Sequence, residues 1–115
     1  MALEQQRCVS CEGLTAKLSD QDARNMLGQT PGWERSGDTI MREFKFSNFV
    51  EAMDFANRIA KIAEEENHHP DLHISYGKVK VDLSTHRVGG LSTNDFIVAA
   101  KISRLWDESR PDQAI

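Results

Sequence analysis

All four histidines of the chain lie between positions 68 and 86, namely His68, His69, His73 and His86. Histidine can both give and take a proton near neutral pH, because its ordinary pKa is about 6.5. His68 and His69 follow the longest predicted helix, and His86 follows the last predicted strand. The ends of such elements are where a rigid scaffold commonly presents catalytic groups. The cluster therefore indicates acid–base chemistry.

Other interpretations of these histidines stay open at this point. His68 and His69 at a helix C-terminus also complement the helix dipole. His73 occupies a polar position in mid-strand, which is typical of an exposed side chain. A metal site could combine the histidines with Glu64 and Asp71. Adjacent histidines suit one tetrahedral site poorly, and the chain has no HExxH or HxH spacing, so metal binding is not favoured.

The two cysteines, Cys8 and Cys11, form a CxxC motif. A structural zinc site needs a second pair of ligands, which the sequence does not offer at finger spacing. A redox CxxC is expected between a strand and a helix, whereas this one lies in a polar N-terminal stretch. We therefore expect the pair to have no direct role in catalysis.

The first third of the chain predicts a short helix and then a hairpin. Ser19, with Asp22 three residues later, resembles a capping box and begins a helix that ends near Gly28. A strand starting at Trp33 then pairs with Thr39–Phe46. Apolar residues alternate along this second strand, which predicts that it is half-buried.

A long amphipathic helix follows this hairpin. Ser47 or Asn48 can cap its start, and apolar residues recur at helical spacing through Glu66. The His69-Pro70 dipeptide ends it, because the residue before proline is disfavoured in a helix.

Residues 72–76 and 78–84 form a second predicted hairpin, in which apolar residues of 78–84 alternate toward one face. Ser92 with Asp95 begins a last amphipathic helix that reaches Trp106. The element order is αββαββα, which predicts an α+β fold with a four-stranded antiparallel sheet and helices packed on one face.

The chain length fits a single domain covering residues 1–115, with residues 1–18 as a poorly committed lead-in and residues 110–115 as a frayed tail. The formal net charge is −4 and no basic stretch stands out, so direct nucleic-acid binding is not expected. No apolar run is long enough for a membrane span or a signal peptide, and we expect a cytoplasmic protein.

The spaced residues resemble the signature of the pterin-4a-carbinolamine dehydratases, also known in animals as dimerisation cofactors of a homeodomain transcription factor. Flanking residues around Ser84-Thr85-His86 and Gly90-Leu91-Ser92 are similar too, and the resemblance covers roughly residues 14–106. The signature reads Glu64-x3-His68-His69-Pro70-x5-Tyr76-x9-His86-x8-Asp95.

The resemblance implies that the substrate is a tetrahydropterin with a hydroxyl on C4a, and that neither a metal nor another cofactor is needed. It implies that His68, His69 and His86 are catalytic, and we predict His68 and His86 as the proton-transfer pair, with His69 orienting the pterin. Because Glu64 lies four residues before His68 on a helix, we expect Glu64 to hydrogen-bond His68. The expected substrate-binding residues are Glu64, Asn67, Pro70, Ser84, Thr85, Arg87 and Asp95.

The family resemblance also implies a homodimer or homotetramer, and the alternative function is that of a dimerisation or assembly partner with the same fold. A filled set of catalytic positions favours the enzyme, which would recycle the pterin cofactor of aromatic amino-acid hydroxylases. Strand Thr39–Phe46 carries apolar residues and little edge protection. We therefore expect it to form an open edge that pairs with its own copy.

Overall fold

The computed structural model describes residues 2–9 and 16–109. Its order of helices and strands confirms the predicted αββαββα fold. The elements are α1 (Asp20–Leu27), β1 (Glu34–Ser36), β2 (Thr39–Lys45), α2 (Phe49–Glu66), β3 (Asp71–Ser75), β4 (Lys78–Leu83) and α3 (Thr93–Ser109). Within residues 2–9 and 16–109, two single-turn 3-10 helices, Leu3–Gln5 and His86–Val88, lie outside these elements.

Side-chain caps define where the first two helices begin. The Ser19 hydroxyl accepts the backbone N–H of Asp22 at 3.1 Å, as the capping-box pattern predicts. Asn48, rather than Ser47, caps α2, because its Oδ1 accepts the N–H of Glu51 at 2.9 Å. Both caps satisfy N–H groups that have no partner within the helix itself.

The sheet has the strand order β1-β2-β4-β3, and all its pairs are antiparallel. Ile40 lies opposite Leu83, and Phe44 lies opposite Val79, so these four side chains share one face. All four are buried in the core together with apolar residues of α2 and α3. The opposite face carries polar side chains such as Glu43, which is exposed. Helices thus cover one face of the sheet, and the polar ends of the strands are left for the site.

The prediction that Thr39–Phe46 forms an open edge is wrong. Strand β2 is paired on both sides, with β1 and with β4, and the outer strands of the sheet are β1 and β3. The alternation along β2 correctly predicted a strand, but it carries no information on which hairpin strands meet. Strand β3, with Ile74 among its exposed residues, is the longer of the two edges.

The prediction of a poorly committed lead-in is also wrong for the part that is described. Leu3 is buried in the core, and the 3-10 turn that contains it packs against α3. Further along, the N–H of Leu18 donates to the carbonyl of Leu91 at 2.8 Å. One well-placed leucine and a set of hydrogen bonds hold this polar stretch. The predicted frayed tail, 110–115, lies outside the described residues.

Within the described residues, none of the helices combines the length and the apolar composition that a membrane span requires.

Candidate active site

The adjacent histidines follow the turn that ends α2. Asn67 adopts the left-handed conformation, with φ 51° and ψ 41°, and the N–H of His68 donates to the carbonyl of Ala63 at 3.2 Å. This is the Schellman arrangement that ends many helices, and asparagine is one of the residues that tolerate it. The chain therefore leaves the helix sharply, and His68 turns inward while His69 stays at the surface.

His68 forms a buried pair with Asp95 at the start of α3. The distance between His68 Nε2 and Asp95 Oδ1 is 2.6 Å, and the side chains are 6% and 0% exposed. The prediction that Glu64 bonds His68 is wrong, because the partner of His68 is this aspartate. Helical spacing suggested Glu64, but α2 has ended before His68, so the rule for residues four apart does not apply.

Asp95 receives two further hydrogen bonds at its other oxygen. The hydroxyl of Thr85 donates to Oδ2 at 2.8 Å, and the N–H of Ser92 donates to it at 2.9 Å. Three donors thus face one carboxylate, which makes His68 Nε2 the protonated ring nitrogen. Because Thr85 gives its only hydroxyl proton to Asp95, the Ser92 hydroxyl donates to Thr85 across 2.7 Å. The network fixes both the tautomer and the orientation of His68.

Glu64 instead pairs with His69. The Oε2 of Glu64 lies 2.5 Å from His69 Nε2, and the two side chains are 76% and 54% exposed. A carboxylate that accepts from one ring nitrogen leaves the other nitrogen free to exchange protons. The two neighbouring histidines therefore each have a carboxylate partner, one inside the protein and one at its surface.

A cleft of about 160 Å³ lies where β2 and β3 begin and β4 ends. His69 and His86 both line it, so two imidazoles from distant parts of the sequence face one space. Within the described part of the chain, the His86 ring has no hydrogen-bond partner. The cleft residues are Thr39, His69, Asp71, Asp82, Leu83, Ser84 and His86.

Carboxylates give this cleft an acidic floor. Asp71 and Asp82 lie directly opposite each other in the β3–β4 register. The Oδ2 of Asp82 accepts a hydrogen bond from the ring of His73 at 3.0 Å, whereas Oδ1 is a buried oxygen with no hydrogen bond among the described residues. The Lys80 ammonium lies 3.8 Å from Oδ1. Carboxylate oxygens only accept, so the exposed carboxylate of Asp71 suits a ligand with N–H groups.

The other predicted residues have different positions around the site. Ser84 lines the cleft, whereas Thr85 is buried behind it in the Asp95 network. Asn67 and Pro70 form the turn before β3, and Arg87 is exposed in the 3-10 helix beside His86. Tyr76, from the signature, is 75% exposed at the tip of the second hairpin.

Two polar residues that line the cleft, Thr39 and Asp82, are not among those that the sequence predicts. Their signal was weak but present. Asp82 lies between the buried residues Val81 and Leu83, so its side chain must face away from the helices. The polar residues of the neighbouring strand point to the same face of the sheet. The register that brings Thr39 beside Asp82 joins two hairpins, and local alternation does not contain that information.

The cysteine pair can be described only in part, because Cys11 lies outside the described residues. Cys8 is half-buried, and burial raises the pKa of its thiol to about 12, with the Glu66 carboxylate adding to the rise. Among residues 2–9 and 16–109, no three His, Cys, Asp or Glu side chains converge as a metal site would require.

Comparison with known protein families identifies a matching model. Residues 16–105 match the family described as pterin 4 alpha carbinolamine dehydratase. A protein of Halorhodospira halophila that carries a provisional pterin-4-alpha-carbinolamine dehydratase name is 45% identical over 107 residues, which covers 91% of this chain and 98% of the relative. One of Stenotrophomonas maltophilia, with the same provisional name, is 47% identical over 108 residues, covering 92% and 93%.

Solved structures have the same fold. A transcriptional coactivator/pterin dehydratase from Brucella melitensis superimposes with a TM-score of 0.74 and 31% identity, covering 77% of this chain and 97% of that one. A pterin dehydratase-like protein described as a RuBisCO assembly factor in the alpha-carboxysome superimposes with a TM-score of 0.52 over 64% of this chain and 84% of that one. At 19% identity, this second likeness concerns the fold alone.

Proposed function

Because the chain belongs to the pterin 4 alpha carbinolamine dehydratase family, whose members are hydro-lyases, we propose that it removes water from a 4a-hydroxytetrahydropterin. The observation that carries the proposal is the cleft that brings His69 and His86 together. Their imidazoles come from the two ends of the β3–β4 hairpin. Histidines dispersed over a surface without a common function would not be expected to line the same cleft.

The proposed reaction balances with two proton transfers and no electron transfer to the protein. An acid protonates the C4a hydroxyl, the C4a–O bond breaks, and water leaves. A base takes the proton from N5, and the electrons of that N–H bond form the C4a=N5 double bond of a quinonoid dihydropterin. One imidazolium and one neutral imidazole on either side of the reacting bond can carry out both steps.

We assign these transfers to His69 and His86, since both line the cleft. This assignment changes the pair proposed from the sequence, because His68 is 6% exposed and its Nε2 is bound to Asp95. His68 stays in the catalytic cluster as the fixed ring behind the cleft. Glu64 orients His69. The pH dependence of turnover in the single variants distinguishes which of His69 and His86 is the acid.

The remaining cleft groups suit recognition of a pterin ring. Its pyrimidinone edge presents neighbouring N–H donors, and the exposed carboxylate of Asp71 offers acceptors. The hydroxyls of Thr39 and Ser84 add donor and acceptor capacity. In this proposal Asn67 and Pro70 shape the turn, Thr85 and Asp95 hold His68, and Arg87 lies at the rim.

The direct test is a stopped-flow assay of dehydration with a 4a-hydroxytetrahydropterin. His69→Ala and His86→Ala should each lower turnover on the order of a hundredfold or more, the range for acid–base groups. Lys61→Ala on the exposed surface of α2 is the control, because that side chain does not line the cleft, and it should leave turnover within about threefold of the wild type. Normal rates in both cleft variants would refute the proposal.

The proposal extends to the role of this dehydration in the cell. The quinonoid product is the form that a reductase returns to the tetrahydropterin cofactor of aromatic amino-acid hydroxylases, so recycling that cofactor in the cytoplasm is the proposed role. An assay in which the dehydratase speeds a coupled hydroxylase at low pterin concentration tests this role separately from the dehydration step.

Self-association is the second element of the proposal. The exposed edge of β3 carries Ile74, and Val50 on α2 is 76% exposed, so both a sheet edge and a helix surface are available for contacts between copies. We propose a homodimer or homotetramer formed by these surfaces. Light scattering during size exclusion should give a multiple of the 13.0 kDa chain mass, and a single species at 13.0 kDa would contradict it.

A further inference from the structure

The N-terminal segment, Leu3–Val9, lies against the two helix ends that carry His68 and Asp95. Leu3 anchors it in the core, and Lys101 of α3 donates to the carbonyl of Glu4 at 3.0 Å. None of the residues of this segment lines the cleft. The segment therefore contacts the site only through the elements that hold the His68–Asp95 pair.

Asn94 makes the most specific contact with this segment. Its Oδ1 accepts the N–H of Val9 at 3.0 Å, and its Nδ2 donates to the carbonyl of the same residue at 2.8 Å. The side chain thus pairs with one backbone unit as a neighbouring strand would. Asn94 is 1% exposed and immediately precedes Asp95. Its two hydrogen bonds to Val9 therefore restrain the first turn of α3, which carries the aspartate.

Glu66 makes the corresponding contact at the end of α2. Its side chain is 4% exposed and accepts from the N–H of Cys8 at 2.8 Å and from Arg7 Nε at 2.9 Å. Glu66 lies two residues before His68, next to the left-handed Asn67 that turns the chain. Consecutive residues of the N-terminal segment therefore bind the residue just before Asp95 and the helix end just before His68.

We propose that the N-terminal segment positions the His68–Asp95 pair and that Asn94 is the positioning residue through which it acts. A hydrogen bond of 2.6 Å between buried groups tolerates little displacement, and helix termini have few restraints of their own. The two hydrogen bonds between Asn94 and Val9, and the contacts of Cys8 and Arg7 with Glu66, supply these restraints from outside the cleft. The kinetic part of this inference rests on the proposed dehydratase function, whereas its structural part does not.

The test removes the hydrogen bonds between Asn94 and Val9 from either side of the contact, in the full chain. Val9→Pro deletes the N–H that Asn94 accepts, at an exposed position, and Val9→Ala is the matched control that keeps it. Asn94→Ala deletes both bonds. The first measurement is the proton resonance of the His68 ring N–H bonded to Asp95, which lies far downfield in water and is assigned by its loss in His68→Gln.

Val9→Pro and Asn94→Ala should shift or broaden that resonance, and Val9→Ala should leave it unchanged. Turnover should fall on the order of tenfold in the first two variants, as expected for a small displacement of active-site groups. KM should stay within about twofold, since the cleft itself is intact.

A wild-type His68 resonance and wild-type turnover in Val9→Pro would overturn the inference, even if its melting temperature falls, because the segment would then only stabilise the fold. Should Asn94→Ala fail to fold, Val9→Pro still decides. If the wild-type protein shows no dehydration at all, the proposed function fails while the resonance still tests the positioning role.

Discussion

His68 Nε2 lies 2.6 Å from Asp95 Oδ1, and this contact joins the end of α2 to the start of α3 across 27 positions of sequence. Both groups are buried, so the hydrogen bond between them is electrostatically stronger than the same bond would be at the surface. Asp95 is also the acceptor for Thr85 and Ser92. One carboxylate thus holds together two helix ends and the loop after β4.

Asp95→Asn should destabilise the fold by about 2–4 kcal/mol, because it replaces a buried charged acceptor of three hydrogen bonds with a neutral amide, whose NH2 group cannot accept from His68. The His68 ring should change tautomer to accept from the new amide, which ring nitrogen chemical shifts would report. Urea unfolding measures the stability. Asp71→Asn, at an exposed position, is the control and should change it by about 0.5 kcal/mol or less. An unfolding midpoint for Asp95→Asn equal to that of the wild type would show that the network is not coupled as described.

Glu64→Ala should behave differently from Asp95→Asn, because the Glu64–His69 pair is largely exposed. The change in unfolding free energy should be about 0.5 kcal/mol or less, as for other surface pairs. Turnover should fall more clearly, since His69 loses the acceptor that orients its ring. Glu65→Ala removes the same charge one residue away and should keep normal turnover. Equal turnover in the two variants would mean that Glu64 does not orient His69.

Acid should weaken the contact between the N-terminal segment and α2. Burial alone would raise the pKa of the Glu66 carboxyl, but the N–H of Cys8 and the cations of Lys101 and Arg7 outweigh it and hold this pKa below the usual 4.5. A carboxyl whose pKa is lowered on folding contributes stability above its unfolded pKa, and loses it as the pH falls through the folded value.

Glu66→Gln keeps an acceptor for Cys8 but has no titrating charge. The wild type should therefore be more stable than this variant near neutral pH, and the difference should shrink below about pH 4.5. Urea unfolding of both proteins across this range measures it, with Glu65→Gln as the exposed control. A difference that is constant with pH would contradict the lowered pKa.

Cys8 should react slowly with alkylating reagents in the folded protein. With a thiol pKa raised to about 12, almost none of it is thiolate at neutral pH. Iodoacetamide labelling of the Cys11→Ser protein, followed by mass spectrometry, should be much slower than in urea. Cys8→Ser should keep normal turnover, because a small polar side chain fits the half-buried position. Fast labelling in the native state would show that the segment detaches readily.

The helices and hairpins could be predicted because their signals are local. Apolar spacing in Phe49–Glu66 and alternation in Lys78–Leu83 are contained within each element. The position of β2 inside the sheet depends on how two hairpins meet, and no local pattern encodes that. The buried state of Leu3 likewise depends on a distant surface of α3.

The sequence predicted which residues form the candidate site better than it predicted which of them hydrogen-bond to each other. The types and spacing of the histidines drew attention to His69 and His86, which the fold brings to one cleft. The carboxylate partners were predicted less well, because helical spacing assigned Glu64 to His68. A single left-handed residue, Asn67, reverses that assignment, and asparagine in the sequence does not by itself announce a left-handed conformation.

The turn between α2 and β3 has a consequence for how this segment can change over evolution. His68 faces the interior and His69 the surface, although they are neighbours, so their environments depend on how many residues separate each of them from Asn67. A substitution within the turn alters one side chain. Inserting one residue between Asn67 and His68 would instead offer His68 to Glu64 and leave Asp95 without an imidazole. Deleting His68 would offer His69 to Asp95 and leave Glu64 without one. A change of length at this point therefore disrupts a pairing that most substitutions elsewhere in the turn would keep.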